Sequence, residues 1–152
     1  MKSLNALIFA VAMLAAATAQ AHGNEPDDKK KAPNGGQLRT AGAYHFELVV
    51  ARDSREAKDN PVIVYVTDQA GAKVPTVGAG GTATLLGGKS KTTVKLLPDG
   101  DNRLKGVGTY ASSPDLKAVV SVTLAGKAAE QARFTPLAPP VAANDGHTDH
   151  KH

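Results

Sequence analysis

Tyr44-His45-Phe46-Glu47-Leu48-Val49-Val50 is the stretch that decides the fold. Tyr44, Phe46, Leu48 and Val50 alternate with His45, Glu47 and Val49. Successive side chains of a strand point to opposite faces, so this is the pattern of a half-buried β-strand. Further along, Val62, Val64 and Val66 alternate with Ile63, Tyr65 and Thr67, a strand expected to be covered on both faces. Ala118, Val120, Val122 and Leu124 repeat the pattern against Val119, Ser121 and Thr123. Residues 82–86, 92–97 and 103–107 are shorter β segments, and residues 132–134 belong to a last strand.

The breaks between these segments carry turn chemistry: Asp68-Gln69-Ala70-Gly71, Gly87-Gly88, Pro98-Asp99-Gly100-Asp101-Asn102 and Ala125-Gly126. Residues 52–60 form a longer charged connection closed by Asn60-Pro61. After residue 21 no apolar stretch has a helical period. About seven short strands at this spacing predict an all-β domain, a single β-sandwich of immunoglobulin-like type, with a small open barrel as the alternative. Val, Leu and Ala build the core, and Tyr44, Phe46, Tyr65, Tyr110 and Phe134 are its aromatic residues. Large aromatic side chains bury the most surface each, so modest stability is expected.

Around this domain the composition changes. Lys2, the apolar run Leu7-Ile8-Phe9-Ala10-Val11-Ala12-Met13-Leu14 and the small-x-small triplet Ala19-Gln20-Ala21 have the three-part organisation of a secretory signal peptide over residues 1–21. The run is short of the roughly 20 residues of a membrane span. Removing these 21 of the 152 residues leaves 131, which is one small domain with tails. Residues 22–36 read as a flexible leader, residues 37–136 as the domain and residues 137–152 as a disordered tail. The mature protein is expected to be periplasmic and not embedded in the membrane.

The chain has no cysteine, and its two methionines, Met1 and Met13, fall in the signal. Disulfide frameworks, thiolate zinc or iron–sulfur sites, cysteine nucleophiles and methionine-rich Cu(I) sites are therefore excluded. Any metal chemistry must use nitrogen and oxygen. Three of the five histidines, His147, His150 and His152, lie in the last six residues with Asp149 among them. Imidazole and carboxylate suit Cu(II), Zn(II) or Ni(II). A tail must be ordered to gather around an ion, so weak, exchangeable binding is expected, with no metal required for folding.

His22 becomes the first residue if cleavage follows Ala21, and its amine and imidazole form a chelating pair to which His45 could add a third nitrogen. His45 and Glu47 share a strand face and could ligate a metal, although an ordinary exposed strand face has the same appearance.

Other chemistry finds less support. The glycines at Gly78-Ala79-Gly80-Gly81 and Gly87-Gly88-Lys89-Ser90 are not followed by a helix pattern and read as strand ends and hairpins rather than a phosphate loop. The formal charge of +4 comes without interleaved aromatic and basic residues, so no nucleic-acid partner is expected. Lys89, Lys91, Lys95 and Lys105 read as a solvated sheet face. Ser54, Ser90, Ser112, Ser113 and Ser121 lack a nucleophile-elbow context, and an enzyme is not expected.

Pro33-Asn34-Gly35-Gly36-Gln37, Gly42-Ala43-Tyr44-His45-Phe46-Glu47-Leu48-Val49 and Val62-Ile63-Val64-Tyr65-Val66-Thr67-Asp68 form a series. With Gly80-Gly81-Thr82-Ala83-Thr84 and Asp101-Asn102-Arg103-Leu104-Lys105-Gly106, it resembles a small periplasmic β-domain associated with bacterial heavy-metal efflux. The resemblance covers roughly residues 33–135 and rests on strand and turn residues. It departs from the family at Asn34-Gly35-Gly36, where His-Gly-Gly is common. It implies periplasmic efflux components for copper, zinc or cobalt as partners. The expected function is that of an accessory protein binding a divalent metal through its histidine tail. The alternative is a non-catalytic envelope interaction module with no metal role.

Overall fold

The computed structural model describes residues 31–140. Its elements are β1 (Gln37–Ala41), β2 (Tyr44–Val50), β3 (Lys58–Asp68), β4 (Gly80–Gly87), β5 (Ser90–Pro98), β6 (Arg103–Tyr110), β7 (Lys117–Thr123) and β8 (Ala129–Phe134). The all-β expectation holds. All neighbouring strands are antiparallel, in the order β1-β2-β3-β6-β5-β4-β7-β8. They form one continuous, nearly closed, barrel-like sheet rather than two separately bonded layers.

The inward side chains follow from period-two alternation. Phe46 and Leu48 of β2, Val62, Val64 and Val66 of β3, Leu96 of β5, Leu104 of β6 and Val120 of β7 have no exposed surface. Phe134 closes the core from β8. Tight turns set the register of the hairpins. β1 and β2 meet through Gly42-Ala43, and β4 and β5 through Gly88-Lys89. Gly42 (φ +60°) and Gly88 (φ +57°) adopt the left-handed backbone that two-residue hairpin loops require.

Curvature comes from close strand contact at glycines. A β-carbon on Gly106 would collide with the Lys95 carbonyl oxygen, and one on Gly108 with the Val94 side chain. The bare backbone of β6 thus lets β5 fold across it, as a corner in a barrel requires. The outer strands then approach each other. The Thr135 amide, just past β8, donates to Gln37 Oε1 of β1 at 2.7 Å, and Gly42 sits directly against the Glu130 carboxyl group.

Two expected boundaries differ. β3 starts at Lys58 and runs through Asn60-Pro61, which had read as the end of a connection. β2 ends opposite Val62, so at Pro61 the strand has β6 alone as its paired neighbour, and a residue without an amide proton is tolerated there. Asn60 is itself buried, its Nδ2 donating to Ser54 Oγ (2.9 Å) and to the Tyr110 carbonyl (2.8 Å). The Tyr110 hydroxyl donates to the Pro61 carbonyl (2.5 Å) and accepts from the Ala51 amide (2.9 Å). Burial pushes the pKa of this phenol up, against a smaller opposing effect of the Ala51 hydrogen bond.

Candidate functional site

The outer face of β2 is the polar feature that the fold assembles most deliberately. Side chains at 45 and 47 point away from the core that receives Phe46 and Leu48, so an exposed face was expected. The structure corrects this: His45 is 4 % exposed and Glu47 only 2 %. Residues 32–36 turn back across β2 and cover it. Asn34 N and Gly36 N donate to Glu47 Oε1 at 2.8 and 3.0 Å, and Asn34 Nδ2 donates to Oε2 at 2.9 Å.

Three donors on one carboxylate satisfy a group that would otherwise be costly to bury. Gly36 makes the fit feasible, because a β-carbon there would collide with the Leu48 carbonyl oxygen and the Val49 side chain. Arg52 Nη2 donates to the Gly35 carbonyl at 2.5 Å and fastens the turn from outside. Residues 34–36, read as the end of a leader, thus belong with the fold.

Sheet register places Glu47 between Leu38 of β1 and Tyr65 of β3, and Tyr65 in turn opposite Arg103 of β6. Arg103 has its pKa raised by a hydrogen bond with Tyr65 and by the Asp99 charge. Its Nη2 lies 3.0 Å from Asp99 Oδ2. A polar row therefore runs around the outside of the sheet, sealed at Glu47 and open at Arg103. His45 lies between Thr40 and Thr67, with its Nδ1 3.2 Å from the Asp68 carbonyl oxygen.

Of the metal ligands expected from the sequence, His45 is the one among the described residues. His22, His147, His150, His152 and Asp149 lie outside them. Among the described residues no three His, Asp or Glu side chains come together as a metal-holding group. His45 and Glu47 do share a face; among the described residues the partners they show are threonines across the register, a backbone carbonyl at His45 and amide donors at Glu47. Sequence reasoning missed the role of Asn34 and Gly36 as carboxylate donors. The signal available was the Asn-Gly-Gly turn itself, which supplies clustered amides 11 to 13 residues from Glu47.

The hydroxyls of the other polar cluster are committed to the backbone. Ser54 Oγ donates to the Glu56 carbonyl at 2.9 Å, and Ser112 Oγ donates to the Ala51 carbonyl at 2.7 Å. This cluster ties the connection between β2 and β3 to the end of β6.

Fold and site together define a small antiparallel barrel-like domain with an internally satisfied carboxylate under an N-terminal turn. In comparisons with known proteins, no family model, curated protein or solved structure matches the chain.

Proposed function

We propose that this protein is a periplasmic accessory protein of metal efflux or resistance, with the barrel as scaffold and the C-terminal histidines as its metal-binding part. The observation that carries this reading is the sealing of His45 into the sheet. With His45 in the sheet, the other imidazoles of the chain are His147, His150 and His152, beside Asp149, and His22 at the other end. Nitrogen and oxygen donors without sulfur favour Cu(II), Ni(II) or Zn(II) over Cu(I). A site gathered from a tail binds weakly and releases readily, as a protein handing an ion to an efflux assembly requires. The partners are periplasmic efflux components, and the protein performs no catalysis. The immunoglobulin-like sandwich belongs to the same proposal, as a finer description of how opposite parts of the sheet face each other.

Titration of the chain from His22 with Cu(II), Ni(II) and Zn(II), against the same chain ending at Ala143, tests the reading. Binding by the longer chain alone supports it. Equally poor binding by both overturns it.

The alternative, a non-catalytic interaction module, draws on Leu97 and Val107, large apolar side chains that are 53 % and 60 % exposed on β5 and β6. A stable envelope partner retained after deletion of residues 144–152 favours that reading.

A further inference from the structure

The outward positions of β5, β4, β7 and β8 make one face, on the other side of the strands from the buried Val94, Leu85, Val120 and Phe134. Register sets its cations in place. Lys91 of β5 and Lys117 of β7 stand on either side of Leu86 of β4. Arg133 of β8 lies opposite Val119, and Lys95 of β5 opposite Thr82. All four cations are exposed, and among the described residues none has an ion-pair partner, in contrast to Arg103 with Asp99. β4, β5 and β7 contain no Asp or Glu. Glu130 of β8 alternates with Arg133's side of the strand and lies against Gly42. Asp115, just before β7, accepts a bond from Ser113 Oγ.

We propose that this face docks on the surface of an anionic phospholipid bilayer as a peripheral contact. From strand spacing and rise, Lys91 and Lys117 are about 10 Å apart across the sheet, and Lys91 and Lys95 about 13 Å apart along β5. Cations spread over a plane match the planar negative surface of a bilayer, which attracts each Lys or Arg held near it. A nucleic-acid strand is matched instead by a groove with aromatic stacking platforms, and no outward residue of these four strands is aromatic. A protein interface has a core depleted of charge, whereas here Leu86, 39 % exposed, stands between two lysines. At a bilayer that leucine meets the headgroup boundary while the flanking lysines reach the phosphates. None of these residues belongs to the proposed metal-binding tail, so this surface and that site succeed or fail separately.

Co-sedimentation of the chain from His22 with vesicles tests the proposal, using equal parts phosphatidylglycerol and phosphatidylcholine against phosphatidylcholine alone. Binding to the anionic vesicles only, released by added salt, is expected. Lys91→Gln and Lys117→Gln each lower the partition coefficient about fivefold, and glutamine at 91, 95, 117 and 133 together lowers it about a hundredfold or more. The positions are exposed, so each variant keeps the wild-type amide spectrum. The tails are common to every variant, so the loss is that of the face. A partition coefficient unchanged by the fourfold substitution, or equal binding to both kinds of vesicle, overturns the proposal. Binding to a single-stranded oligonucleotide that the fourfold variant loses, with no binding to the anionic vesicles, assigns the face to nucleic acid and overturns it as well.

Discussion

The outer faces of β2 and β6 are treated in opposite ways. On β2 a carboxylate and an imidazole face outward by strand alternation, and both are buried. On β6 a valine faces outward, and it is 60 % exposed. The difference is set by what lies above each strand. Residues 32–36 fold over β2 and bring three N–H donors to Glu47. Lys105, next to Val107 along β6, is exposed as well. On the outer face, burial at Glu47 is therefore set by the hydrogen-bonding cover it receives and not by the polarity of the side chain. A polar group with its partners supplied is buried at small net cost, and an apolar group without a covering layer stays in water.

Four substitutions can break or sharpen that contrast. Glu47→Ala should have the largest effect, lowering the unfolding free energy in urea by about 2–3 kcal/mol, because a charged acceptor is lost and its donors are orphaned. A loss below about 0.5 kcal/mol would mean that the turn contributes nothing to the fold. Gly36→Ala should follow at about 1–2 kcal/mol, through the collision of its β-carbon with the β2 backbone. Faster hydrogen exchange at the Asn34 and Gly36 amides would show that the turn has lifted. Asn34→Ala removes one of the three bonds and should cost about 1 kcal/mol. Val107→Ser should change stability by no more than about 0.5 kcal/mol, as an exposed site does. A larger loss there would show that the β6 face is covered in solution.

The sequence made the strands more legible than their arrangement. β2, β3 and β7 carry long period-two patterns of Val, Leu and Phe, and these strands sit where the alternation places them. β1 was not recognised, because Gln37-Leu38-Arg39-Thr40-Ala41 offers two apolar residues out of phase with each other. As a terminal strand of the sheet, it has one hydrogen-bonded neighbour to satisfy. The early start of β3 was hidden by Asn60-Pro61, whose turn chemistry is overridden by pairing with β6. One sheet or two depends on which strands cross at the corners, and Gly106 and Gly108 make that crossing feasible only in three dimensions. The burial of Glu47 was equally invisible to local alternation, since its cover comes from a turn outside the strand that leads into β1 and hydrogen-bonds across to β2.

The scaffold-and-tail account rests on His45 being part of the sheet rather than part of a metal site. Isothermal titration with Cu(II) tests this most directly, comparing the chain from His22 with His45→Ala and with a variant carrying alanine at 147, 150 and 152. The account predicts that His45→Ala leaves the affinity within about twofold of the starting chain, well under the 1.4 kcal/mol of a tenfold change. The triple variant should lose binding. Loss of binding in His45→Ala, with the triple variant unchanged, would contradict it.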